Sequence, residues 1–384
     1  MNLAAPPVFD AHVDSIQRAL DMGHDLGDWT PGHLDLVRGQ MGGLGAVVMT
    51  AWVDPEFLQP AKGGAPARAH ALIAALHTLA RRRSNLAAWV GNGAELARVR
   101  QSGRTALIAA IEGGHAIDGN LDRLQDFFEF GVRILTLVWN NHLPWIRSCQ
   151  PNAGPDVPAG LSPFGREVVR RMNRLGVLVD VSHAAERAVL DVLDVSDRPV
   201  IASHSACAAL SRHPRNLSDA TLRCIAQHGG VLGIVFCTPF LDEQARAEEA
   251  RLRLRAEYRN LRGANGTATE ALQSEYLQRQ ATAFPMETVV RHVLHAIDVM
   301  GIDHVGLGSD FDGIQRTPAE IADASAYPNL AQALVRAGLS PADVEKVFWG
   351  NMTRVFDWAT GPGTVAAQAS LRPVGASWTS EHIG

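Results

Sequence analysis

Short runs of Val, Ile, Leu and Ala, nearly unbroken by polar residues, recur eight times along the chain, at 8–13, 44–52, 105–111, 132–138, 177–181, 199–202, 231–236 and 304–308. A strand that is apolar on both faces must be covered on both faces, which parallel sheets achieve by following each strand with a helix. The stretches between the runs supply such helices. Over 165–175, Val168, Val169, Met172 and Leu175 fall on one face and charged residues on the other, the 3.6-residue period of a helix laid on a core. Ser218 can cap the free backbone amides of another, which continues through 220–227. Eight strand–loop–helix units predict an α/β fold, a closed (β/α)8 TIM barrel. With 384 residues, no internal repeat and no long linker, one domain over 1–384 is expected rather than two.

Two segments break the rhythm. Residues 241–280 are rich in Arg, Glu, Gln and Ala and predict a helical insertion after strand seven, either a solvated excursion or a lid or subunit contact over the barrel mouth. Residues 360–384 are dominated by Gly, Pro, Ser and Ala and predict a surface tail.

The net charge of −5 arises from interspersed acidic and basic residues, so no basic stripe exists to neutralise a phosphate backbone, and nucleic acid is not expected as a partner. Apolar runs such as 231–236 are far too short to span a membrane, and residues 1–7 lack the basic stretch and apolar segment of a secretion signal. Cys149, Cys207, Cys224 and Cys237 are irregularly spaced with no CxxC pair, which argues against a zinc ribbon or disulfide scaffold and for a reducing cytoplasm. A soluble cytoplasmic protein is expected, with a homodimer left open.

Polar residues of metal-binding type terminate several apolar runs, at the end where barrel enzymes keep their chemistry. Strand one ends His12-Val13-Asp14. Residues two apart on a strand point the same way, so His12 and Asp14 can grip one cation. Strand three leads into Glu112, whose buried charge needs compensation and which suits a bridging role. His183 and His204 follow strands five and six and can hold a second cation. Asp310 follows strand eight, beside strand one where a barrel closes, and can reach the first cation and its water. This mixed imidazole and carboxylate set suits zinc-like ions.

At these residues the chain resembles the renal (membrane) dipeptidase family, metallopeptidases of the amidohydrolase superfamily. The resemblance runs from about Phe9 to Phe356 through FDAHVD, IEGGHAID, FGREVVRRMNRLGVLVDVSH, SHSACA, RNLSD and GLGSDFDGI. It implies two Zn2+ or similar divalent ions per chain, His12 and Asp14 on one, His183 and His204 on the other, and Glu112 bridging both. It also implies that Asp310 contacts the metal-bound water as acid and base and that Arg215 binds the substrate carboxylate. A planar guanidinium suits that last task, because it can clamp a carboxylate through two parallel hydrogen bonds.

The chain departs from the family at one place. Renal-type members carry a substrate-contacting histidine in a stretch resembling LTLTHN, whereas this chain reads LTLVWN and Trp139 takes the histidine's place. Trp139, Asn140 or His142 could then assist the substrate, or the metal could act alone. His115 and Asp312 lie beside the motifs and are expected to support neighbouring groups or form turns. The resemblance implies a dipeptidase that attacks L-Xaa-L-Xaa and L-Xaa-D-Xaa substrates with a metal-bridging hydroxide. The alternatives are an amidohydrolase acting on a lactone or another carboxylate-bearing amide such as an N-acyl amino acid, and a non-catalytic metal-binding protein.

Overall fold

The computed structural model describes residues 6–261 and 266–361. Among the described residues it contains nine parallel strands: β1 (Val8–Val13), β2 (Leu44–Trp52), β3 (Ala87–Trp89), β4 (Thr105–Glu112), β5 (Val132–Thr136), β6 (Leu178–Asp180), β7 (Ile201–Ser205), β8 (Val231–Ile234) and β9 (Val305–Leu307). Eight of them pair in the order β2-β1-β9-β8-β7-β6-β5-β4, and β4 closes onto β2 through the register Ala46↔Ala106 to Trp52↔Glu112. The result is the closed TIM barrel expected from the eight apolar runs.

The short β3 is the departure. It pairs with the beginning of β4, Ala87↔Thr105 to Trp89↔Leu107, on the flank that β5 occupies from Ala109 onward. Its Ala-Ala-Trp sequence has no branched aliphatic residue to mark a strand. Strand ends also move: β7 runs on through Ser205, so His204 lies inside the strand rather than beyond it.

Alternation along the strands sorts the apolar residues into two layers. Phe9, Val48, Ile108, Ile134, Ile201 and Val231 are among those that fill the barrel, and Trp349, Met352 and Phe356 pack against them. The opposite strand faces pack on the helices. Each large side chain so buried contributes roughly 1.5–3 kcal/mol. The helix at Pro163–Leu175 begins before its apolar stripe, because Ser162 accepts from Gly165 N and Pro163 occupies the first turn, where no amide hydrogen is needed. Ser218 caps Asp219–Gln227, as its place in the sequence predicts.

After β8 the segment expected as an insertion forms helices at Glu243–Arg253, Ala256–Asn260 and Gly266–Gln280. Leu252, Tyr258 and Leu277 give it a small apolar centre of its own. It reaches the loop leaving β9: Ser274 Oγ donates to Gln315 O (2.9 Å), and Arg316 pairs with Glu248 (3.4 Å) while donating to Thr282 O (2.9 Å). Residues 362–384, most of the expected tail, lie outside the described residues. Among the described residues no helix is long and apolar enough to cross a membrane.

One buried histidine makes stability depend on pH. His292, on the helix Glu287–Met300, accepts from Cys207 N at Nδ1 (3.1 Å) and donates from Nε2 to Leu241 O (3.1 Å). Burial depresses its pKa to about 4. The folded state thus resists a proton that the unfolded chain accepts near ~6.5, so this stabilisation is complete above about pH 6.5 and is lost as pH falls toward ~4. The loss amounts to roughly 3 kcal/mol. Denaturant melts should show the parent losing that much more stability than His292→Gln between about pH 7 and about pH 4; equal losses would refute the assignment.

Candidate metal centre

Two β-bulges aim candidate ligands into the barrel mouth. In β1 the register slips between Asp10 and Val13, so Phe9 and Ala11 line the interior while Val13 faces the helices and His12 and Asp14 turn inward. In β7 it slips between Ala202 and Ser205, and adjacent Ser203 and His204 both face the centre. Glu112 needs no slip, because it continues the parity of Ala106, Ile108 and Ala110, which line the interior. His183 and Asp310 follow β6 and β9 with left-handed backbones, φ 67° and 62°. That conformation costs a non-glycine residue roughly 1–2 kcal/mol and concentrates at functional sites.

The six side chains meet in three overlapping groups, each with its ligand atoms within 4.8 Å of one another: His12, Asp14 and Glu112; Glu112, His183 and His204; His12, His204 and Asp310. Glu112 Oε1 lies 2.8 Å from His183 Nε2, 3.3 Å from His204 Nε2 and 3.7 Å from His12 Nε2. It is thus common to the first two groups, as a bridging carboxylate must be. All six residues are buried.

Hydrogen bonds behind the imidazoles leave every Nε2 facing inward. His183 Nδ1 donates to Asn140 Oδ1 (3.0 Å), which also accepts from Gln150 Nε2 (2.9 Å). Ser203 Oγ lies 2.8 Å from His204 Nδ1 and 3.3 Å from His12 Nδ1, and it donates to Asp180 Oδ2 (2.7 Å). Asp180 accepts in addition from Thr136 Oγ1 (2.6 Å) and from the amides of Ser182 and Ser203. Asp10, wholly buried, accepts from Ser309 Oγ (2.5 Å) and from Tyr327, and so holds the turn before Asp310. Such outer partners orient ligands and tune their basicity. Reading the sequence alone does not single out Asp10, Asp180 or Ser203. The available signal is a lone Asp inside an apolar strand, which something buried must satisfy.

The cluster's charges do not balance on their own. Burial opposes a charged His12, yet the carboxylates of Glu112, Asp14 and Asp310 lift it to about 10. Burial lifts Asp310 to about 7, with Glu112 adding to it and His12 opposing, and burial together with Glu112 and Asp310 holds Asp14 well above the ordinary carboxylate range. Burial and the Arg215 charge depress His183 to about 4, and burial and His12 push His204 well down. His12 Nε2 and Asp14 Oδ1 are buried without a hydrogen-bond partner among the described residues. Three carboxylates and three imidazole lone pairs around a pair of dications would satisfy all of these groups, so the donor set fits the expected ions. Gly313 matters here, because a Cβ at that position would collide with Asp14 Oδ2 and Asp310 Oδ1.

The remaining candidates surround this centre. Arg215 is buried; it donates to His204 O (2.9 Å) and Ser205 Oγ (3.3 Å), and its Nε has no partner among the described residues. Trp139 is half-buried against His183, ring centroids 6.1 Å apart. Asn140 is engaged behind His183 rather than presented alone, and His142 Nδ1 lies 3.1 Å from Ser148 Oγ. Asp312 accepts from Arg18 Nη2 (2.8 Å) and His33 N (2.7 Å), joining the loops after β1 and β9, and His115 Nε2 donates to Val53 O (2.9 Å).

Residues 3–367 match the family model described as membrane dipeptidase, peptidase family M19. The dipeptidase tcpJ of Claviceps purpurea is 32% identical over 348 residues, covering 89% of this chain and 72% of that protein. Among solved structures, the dipeptidase AC, a metallopeptidase of family M19, is 30% identical with a TM-score of 0.76, covering 93% of this chain and 100% of the other. A metallopeptidase from Rhodobacter sphaeroides bound to a phosphinate mimic of the dipeptide L-Ala-D-Ala is 28% identical with a TM-score of 0.75, covering 92% of this chain and 99% of that one.

Proposed function

The chain belongs to the membrane dipeptidase family, peptidase family M19, and from that premise we propose that it hydrolyses dipeptides, L-Xaa-L-Xaa and L-Xaa-D-Xaa, with a pair of Zn2+ or similar ions. His12, Asp14 and Glu112 would hold one ion and Glu112, His183 and His204 the other. The observation that carries this reading is the Glu112 carboxylate shared by two ligand groups, with a buried guanidinium, Arg215, reaching from the loop after β7 to hydrogen-bond the end of that strand. The Rhodobacter sphaeroides relative, with its bound L-Ala-D-Ala mimic, supports acceptance of a D residue in second place.

The ion pair, when bound, supplies an acidified water and a polarised scissile carbonyl. The chain's own groups do the rest. Arg215 takes the substrate's carboxylate between two N–H groups and thereby fixes where the scissile bond lies. Asp310 accepts the proton of the attacking water and passes it to the departing amine nitrogen, a transfer for which a carboxyl touching both positions in turn is sufficient. Asn140 and Ser203 keep the imidazoles from rotating, so each Nε2 stays aimed at the centre. Trp139 has an indole N–H to donate and nothing to titrate.

The test is turnover of L-Ala-L-Ala and L-Ala-D-Ala by the zinc-reconstituted chain, with and without a chelator. Both substrates should be cleaved and the activity should vanish on chelation. Inertness toward every dipeptide offered, with metal bound, would contradict the reading.

A further inference from the structure

We infer that Trp52 and Trp139 form an aromatic corner that receives the side chain of the substrate's N-terminal residue, so that the enzyme favours dipeptides beginning with an aromatic or large apolar residue. This rests on the dipeptidase reading and adds a substrate class to it.

The two indoles come from different strand ends. Trp52 is the last residue of β2, and its register partner is Glu112 on β4, so both point to the same side of the sheet. Trp139 follows β5 and lies against His183. Their ring centroids are 5.3 Å apart with planes inclined at 59°, the tilted arrangement that aromatic pairs prefer. Both residues remain half-buried, unlike Trp145, which is packed away in the core. Trp52 Nε1 is buried and has no acceptor among the described residues.

The order of strands around the mouth sets the direction of a bound dipeptide. Arg215 is anchored to His204 O and Ser205 Oγ on β7. Passing β8, β9 and β1 leads to β2, on the far side of the barrel, and passing β6 leads to β5. The ligand cluster, drawn from the ends of β1, β4, β6, β7 and β9, converges at the centre of the mouth. A dipeptide whose carboxylate is held at Arg215 and whose amide crosses the cluster therefore directs its first residue toward Trp52 and Trp139. An aromatic or leucine side chain there gains the apolar area that a methyl group cannot offer.

The experiment compares kcat/KM for L-Phe-L-Ala, L-Ala-L-Phe and L-Ala-L-Ala on the zinc-reconstituted full chain, on Trp139→His and on Trp52→Leu. The first substrate should exceed the third by about tenfold or more, the scale of a few methylenes in a fitted pocket. The second should not, and each variant should cut the ratio toward one. Because each ratio is internal to one enzyme, a poorly folding variant does not distort it, and Trp139→His alone suffices if Trp52→Leu cannot be purified. A flat profile, a preference that follows the second residue, or a ratio unchanged in the variants would overturn the inference while leaving the dipeptidase reading intact. Failure to cleave any of the three would instead remove that reading and this inference with it.

Discussion

Replacing Asp310 by Asn should leave the protein folded and able to bind metal but lower kcat by about 10²–10⁴-fold, the usual contribution of a positioned acid–base group. The fold has little reason to respond. Asn has the size of Asp and tolerates the left-handed φ of 62° that this position requires. Its amide oxygen can still face His12 and His204, while the ligand groups sharing Glu112 are untouched. What the amide cannot do is accept a proton from water and return it to an amine. The measurement is a steady-state assay beside elemental analysis of the same preparation. Undiminished turnover, or loss of activity that merely tracks loss of metal, would remove Asp310 from the proton path.

Arg215→Ala should lower kcat/KM by roughly 30- to 4000-fold, from the ~2–5 kcal/mol lost when one member of a buried, hydrogen-bonded charge pair is deleted. The parent should also reject a dipeptide whose C-terminus is amidated, and the variant should treat the acid and the amide nearly alike. Arg215→Lys should recover only part, because an ammonium offers a point charge in place of a planar fork. The guanidinium also donates to His204 O and raises the local positive potential felt by His183, so metal content must be measured in parallel. Equal acid-to-amide ratios in parent and variant would mean that Arg215 serves the fold alone, and would reopen the lactone alternative.

Features that are local in the chain are legible in its sequence. The eight buried strands can be read because each is a contiguous apolar run, and the ligands can be read because His12, Glu112, His183 and Asp310 interrupt or follow those runs with the wrong polarity. The inward aim of His12 and His204 cannot, since it depends on bulges defined by the register between strands far apart in the chain. Simple alternation from Phe9 and Ala11 would send His12 outward. The pairing of Asn140 with His183 is equally hidden: sequence puts Asn140 near the substrate, while the fold ties its oxygen behind an imidazole. The meeting of Trp52 with Trp139 joins residues that nothing in their own neighbourhoods connects. The three-way contact of Ser203 with Asp180, His204 and His12 is hidden for the same reason, since it exists only in the closed barrel.

Metal stoichiometry tests the central claim most directly. Elemental analysis after saturation with Zn2+ and removal of excess should find about two ions per chain, falling by about one or more in Glu112→Ala because both ligand groups lose their shared member. A chain that retains no divalent ion under those conditions, or a Glu112→Ala protein that binds as much as its parent, would contradict it.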